Sequence, residues 1–158
     1  MSADSTSAPE PPTAQVPGGP LKSQLKLTSD PRLLSVVRSM VSELAAVSGF
    51  DDQQCRCIAL AVDEALSNVI RHAYKNRRDQ EIELSCQANS DCLEFAFFDH
   101  GEPADLARIC AQPLDGVALG GRGTHLIRHI MDEVCYERVF DGNRLSLKKH
   151  LSAAKDKA

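Results

Sequence analysis

Val62-Asp63-Glu64-Ala65-Leu66-Ser67-Asn68-Val69-Ile70-Arg71-His72-Ala73-Tyr74 carries two patterns at once. With Ile58 upstream, Val62, Ala65, Leu66, Val69 and Ala73 recur at helical spacing and mark one side for burial. Glu64, Asn68 and His72 recur every four residues on the other side, with Arg71 beside them. The spacing predicts a helix that Asp51 or Asp52 caps and that runs to about Tyr74. Side chains at i and i+4 stack on a helix, so Glu64 and Asn68 point a carboxylate and a carboxamide into one space.

Upstream, Leu21–Thr28 reads as a strand and Asp30-Pro31 as a helix start, since aspartate caps and proline suits the first helical position. That helix has Leu33, Leu34, Val37, Met40, Val41 and Leu44 on its apolar face, and Gly49 closes it. Downstream, Ile82, Leu84, Cys86 and Ala88 alternate, as do Leu93, Phe95 and Phe97 after a turn at Asn89–Asp91, so two strands are expected. A short helix is expected over Ala104–Cys110, then a loop with Pro113 and Gly116. A helix with Leu126, Ile127, Ile130 and Met131 inward follows Gly120-Gly121-Arg122-Gly123. Glu133–Phe140 and Arg144–Leu151 close as a hairpin around Asp141-Gly142. The order β-α-α-β-β-α-α-β-β predicts an α+β fold, a two-layer α/β sandwich with one mixed sheet covered by helices.

Composition narrows the function. The 158 residues carry a formal charge of -4, which argues against a dedicated nucleic-acid binder. Five of the eight prolines lie in the first twenty residues and no aromatic precedes Phe50. Residues 1–20 are therefore expected to be a disordered tail, 21–151 one folded domain and 152–158 a polar C-terminal tail. The start lacks the basic and apolar pattern of a signal peptide, and the longest purely apolar stretch, Ile58–Val62, is far short of a membrane span. Cytoplasmic location and no membrane contact are expected. Six cysteines show no C-x-x-C pair, so they are expected to be reduced thiols packed as small hydrophobes.

Chemistry concentrates in three places. At Glu64 and Asn68, a carboxamide oxygen is a hard ligand suited to Mg²⁺ and a neighbouring carboxylate can take a proton from a hydroxyl; a solvated helix face has the same pattern. At Asp99-His100-Gly101, an acid ending a strand can accept a hydrogen bond from an exocyclic amine, and glycine admits a close ligand; an ordinary turn reads alike. At Gly120-Gly121-Arg122-Gly123-Thr124, glycines and a helix start present unpaired N–H donors suited to phosphate, with Arg122 adding charge; a plain loop does so too. No lysine follows the glycines, which excludes a P-loop.

Taken together, V-D-E-A-L-S-N-V-I-R-H-A-Y (Val62–Tyr74), F-F-D-H-G-E-P (Phe97–Pro103) and G-G-R-G-T-H-L-I (Gly120–Ile127) resemble the nucleotide boxes of the Bergerat-fold ATPases and kinases. Among these the sequence is most similar to the anti-sigma factor serine-protein kinases, over about Leu21 to Leu151. The resemblance implies ATP and Mg²⁺ as cofactors. It implies Glu64 as catalytic base, Asn68 as the Mg²⁺ ligand, Asp99 as reader of the adenine amino group and Gly101 as room for the base. It implies Gly121, Arg122, Gly123 and Thr124 as the phosphate cradle, and His72 is expected to have a structural role. Gly101-Glu102-Pro103 departs from relatives with a second glycine or an apolar residue soon after D-x-G, which bears on the rim of the adenine pocket.

No histidine precedes His72, which sets aside a histidine-kinase phosphoacceptor. The absence of a transducer domain in these 158 residues sets aside a gyrase-type machine. The expected function is a serine/threonine kinase and anti-sigma factor that phosphorylates a STAS-type anti-anti-sigma protein and sequesters a sigma factor or comparable regulator. It is expected to act as a homodimer without direct nucleic-acid contact, with Arg38 a candidate partner contact. The alternatives are an ATP-binding module that sequesters a partner without phosphotransfer, and a kinase serving another partner switch.

Overall fold

The computed structural model describes residues 19–104 and 122–152. The expectations for residues 1–18, for the short helix beyond Ala104, for the loop with Pro113 and Gly116, for Gly120 and Gly121, for Cys110 and for residues 153–158 fall outside the described residues.

The chain runs β1 (Leu21–Thr28), α1 (Leu34–Val47), α2 (Asp52–Asn68), β2 (Glu81–Ala88), β3 (Cys92–Asp99), α3 (Arg122–Ile130), β4 (Glu133–Val139) and β5 (Gly142–His150). Asp30 caps a short 3-10 turn, Pro31–Leu33, that leads into α1, its carboxylate accepting from Arg32 N at 2.9 Å. Gly49, at φ +99°, turns the chain out of α1. Asp51 caps α2 in a reciprocal box with Gln54, each side chain bonded to the other's backbone N–H.

The expected helix to Tyr74 is α2 followed by one wide turn of π-helix, Val69–Ala73. Lys75 (φ +52°) and Asn76 (φ +62°) then take left-handed conformations, and Asn76 N–H reaches back to Ile70 O at 2.9 Å. That extra width turns Ala73 O outward, where Glu102 N–H donates to it at 2.9 Å.

The strands form one sheet in the order β1-β2-β3-β5-β4. It is antiparallel throughout rather than mixed. The α1–α2 hairpin goes out and back, so the chain re-enters the sheet at the end where β1 left it. β3 and β4 do point the same way, but β5 folds in between them and keeps them from pairing in parallel. The final hairpin turns on Phe140-Asp141, since Val139 pairs with Gly142. Gly142 belongs to the strand because a Cβ there would collide with Asp99 O and the Phe98 ring.

One face of the sheet meets the helices. Ile82, Leu84, Phe95, Phe97 and Leu147 from the strands are fully buried against Val37 and Val41 of α1 and Ile58, Val62, Ala65 and Leu66 of α2. Each such large side chain contributes about 1.5–3 kcal/mol relative to exposure. Cys55, Cys86 and Cys92 are buried as expected, but Cys135 is exposed on edge strand β4; all of the described cysteines are free. No helix among the described residues is long and apolar enough to cross a membrane.

Candidate functional site

The polar face of α2 is the floor of the site. Arg71 Nη2 donates to Glu64 Oε1 and to Asn68 Oδ1, both at 3.1 Å. The i, i+4 stacking of Glu64 and Asn68 thus brings two hard oxygens onto one cation, and both side chains remain half-buried. His72 is exposed and its side chain makes no hydrogen bond among the described residues, so the side chain does not take the structural role expected of it. The neighbouring Tyr74 fills that role. It is buried, its hydroxyl donates to Glu81 O at 2.6 Å and it accepts from His100 N–H at 2.9 Å.

Asp99 ends β3 and is 5% exposed. Its Oδ1 accepts from Gly101 N–H and from the Asn143 amide, each at 2.9 Å. Burial pushes its carboxyl above the usual aspartate value, against the pull of these two donors. Gly101 is needed for a reason the sequence did not show. A Cβ there would lie 2.6 Å from both the Cβ and the O of Ala73, so glycine lets the strand end sit directly on the π-helical turn that follows α2. The room it gives is used first by the protein itself.

The third motif reaches the first. α3 packs on α2, and a Cβ on Gly123 would overlap the Glu64 carboxylate. The start of α3, with Gly123 and Thr124 half-buried, therefore stands against Glu64. Arg122 is the first residue of that helix, and Gly121 lies outside the described residues. A helix start supplies unpaired N–H donors and partial positive charge. Next to Arg71, it makes this corner suited to a polyanion.

The donor set can be tested for Mg²⁺. No group of three or more His, Cys, Asp or Glu side chains suited to a metal exists among the described residues. Mg²⁺ keeps most of its water and binds through one or two protein oxygens plus phosphates. Asn68 Oδ1, already turned toward a guanidinium, fits such a role only together with a polyphosphate.

Sequence reading missed Asn143, Tyr136 and Arg138. Asn143 is 1% exposed, and its carboxamide faces Asp99 across the β3–β5 register. The only local signal was a polar residue directly after Gly142 in an alternating strand. Arg38 is half-exposed and pairs with Asp63 at 3.4 Å, tying α1 to α2. The depressions on the helix-free face of the sheet, lined by Lys22, Gln24, Ser85, Ala96 and Arg144, hold none of these groups.

A family model described as the histidine kinase-like ATPase domain matches residues 27–149. The serine-protein kinase RsbW of Listeria innocua is 30% identical over 121 residues, 72% of this chain and 77% of the relative. That of Oceanobacillus iheyensis is 29% identical, over 70% and 75%. That of Bacillus subtilis is 25% identical, over 82% and 85%. Among solved structures, one of the RsbU and RsbW domains of a Mycobacterium tuberculosis protein superposes with TM-score 0.57 at 17% identity. It matches 82% of this chain, which spans only 31% of that one. The histidine kinase domain of a blue-light-activated kinase from Erythrobacter litoralis gives 0.50 at 19% identity, over 74% of this chain and 60% of that one. At these identities the two structures show the shared fold.

Proposed function

The chain belongs to the histidine kinase-like ATPase domain family and, within it, to the RsbW serine-protein kinases, and from that premise we propose that it transfers the γ-phosphoryl group of ATP to a serine or threonine of a STAS-type anti-anti-sigma protein. The observation that carries this reading is the seating of Gly123, at the start of α3, against the Glu64 carboxylate on α2. It joins a proton acceptor to a helix start, two of the parts that phosphoryl transfer draws on.

In this reading Asp99 accepts a hydrogen bond from the adenine amino group, and Gly101 lets the strand end close behind the base. The N–H groups of Gly121, Gly123 and Thr124 and the charge of Arg122 hold the phosphates. Asn68 Oδ1 would hold Mg²⁺, which would neutralise charge on the phosphates when bound. Glu64 takes the proton of the partner's hydroxyl as its oxygen bonds to the γ-phosphorus and the bond to the ADP oxygen breaks; the products are a phosphoester and ADP. Preorganised donors facing the transferring group account for most of the acceleration in such reactions. The same reading includes a cytoplasmic homodimer that holds a sigma factor inactive.

The test is incubation with γ-labelled ATP, Mg²⁺ and the STAS-type proteins encoded nearby. Label should appear on a serine or threonine of one of them. Glu64→Ala should keep nucleotide binding and lose transfer by about 10²–10⁴-fold. Transfer at the wild-type rate by that variant would remove Glu64 as the base. Nucleotide-dependent capture of a partner with no label at all would overturn phosphotransfer in favour of sequestration.

A further inference from the structure

Asn143 sits at the centre of a closed set of hydrogen bonds. Its Oδ1 accepts from the Tyr136 hydroxyl at 2.9 Å and from Arg138 Nη1 at 3.0 Å. Its Nδ2 donates to Asp99 Oδ1 at 2.9 Å and to Gly101 O at 3.1 Å. Tyr136 in turn accepts from Ala104 N–H at 2.7 Å, which commits the phenolic proton to Asn143.

These partners fix the amide's orientation. A guanidinium only donates, so the atom facing Arg138 must be the oxygen. The NH₂ group must then face Asp99. Gly101 N–H reaches the same oxygen of that carboxylate. Among the described residues both donors thus land on Oδ1, and Oδ2 accepts no hydrogen bond.

We infer that Asn143 is a positioning residue: by claiming Asp99 Oδ1 it presents Oδ2 as the acceptor for a 6-amino purine, and Tyr136 and Arg138 set the amide that does so. The inference rests on the reading of Asp99 as the adenine contact. It adds a device on β4 and β5, with Asn143 44 residues from Asp99 in sequence, that would control base discrimination. Through Gly101 O and Ala104 N–H, the same network also ties down the segment leaving β3.

The experiment measures affinity for ATP and for purine riboside triphosphate, which lacks only the amino group. A hydrogen bond to a charged acceptor corresponds to a preference of about 10- to 100-fold for ATP in the wild type. Asn143→Ala should reduce that preference to about threefold or less, because the carboxylate is then free to turn. A merely structural role would lower both affinities together and leave the ratio alone. Arg138→Met gives a second variant on an exposed edge-strand residue, with the core untouched; its ratio should fall by a few-fold. A wild-type ratio in both variants overturns the inference and leaves the ATP site standing. Equal affinities in the wild type overturn it as well, by removing the Asp99 contact. No ATP binding by the wild type overturns the underlying reading itself.

Discussion

Adding one methyl group to each of two glycines should separate the fold from the chemistry. At Gly101 the new Cβ would lie 2.6 Å from the Cβ and O of Ala73. Carbon atoms pack best at about 3.5–4.0 Å, so the approach is roughly 1 Å too close. Gly101 is not in the left-handed region, so the cost is steric rather than torsional. Rotation offers no escape, because Gly101 N–H is bonded to Asp99 and Glu102 N–H to Ala73 O. The strand end must therefore lift from the π-helical turn. Overpacking of this kind costs about 1–3 kcal/mol, and a stretched backbone bond about 0.5–1.5 more. The stiffer unfolded chain returns about 0.4–1 kcal/mol. Gly101→Ala should thus lose about 1–4 kcal/mol. In urea the midpoint should fall by roughly 1 M with the slope unchanged. At Gly123 the three atoms nearest the new Cβ all belong to the Glu64 side chain, which can turn aside where backbone cannot. Gly123→Ala should keep the wild-type stability to within about 0.5 kcal/mol while displacing Glu64, and phosphotransfer should fall at least tenfold. Two unfolding curves and one labelled-ATP assay decide it. If Gly101→Ala is as stable as the wild type, or if Gly123→Ala transfers phosphate normally, the packing argument fails.

Burial raises the Asp99 carboxyl, so in the pH window just above the ordinary aspartate value the native state holds a proton that the unfolded chain has released. Stability from this group therefore declines as pH rises through the window, while ATP affinity, which needs the anion, increases. Asp99→Asn should flatten both dependences, and at neutral pH it should weaken ATP binding with no loss of stability; calorimetry showing unchanged affinity would remove Asp99 as the base reader. Asp30 has the opposite sign. The Arg32 guanidinium and backbone N–H hold its carboxyl down to about 2. Its contribution is complete above the ordinary value of 3.8 and is lost as pH falls through about 2. Thermal unfolding of Asp30→Ala should lie below the wild type at neutral pH and converge with it near pH 2; a gap that persists there would refute the ion-pair account.

What could be read from the sequence is what short-range geometry dictates. The buried stripe from Ile58 to Ala73, the alternation of Ile82 to Ala88 and of Leu93 to Phe97, and the caps at Asp30 and Asp51 each depend on a few neighbouring residues. The stacking of Glu64 on Asn68 is of the same kind, since a helix alone sets it. Residues that meet because distant strands and helices pack could not be read this way. The wide turn at Val69–Ala73, which leaves His72 exposed and Tyr74 buried, answers to contacts with Glu81 and His100. The sheet is antiparallel because β5 enters between β3 and β4, a choice made by the whole sheet. Gly101 and Gly142 looked like a ligand-facing glycine and a turn glycine; both serve close approach to another segment, Ala73 in one case and Asp99 in the other. The meeting of Gly123 with Glu64, and of Asn143 with Asp99, follows from α3 packing on α2 and from the register of β3 with β5. By itself the sequence determined which groups were available for chemistry, because helix and strand periods are local. Tertiary structure decided which groups share a site, because only packing between remote elements brings a carboxylate to a helix start or an amide to a buried acid.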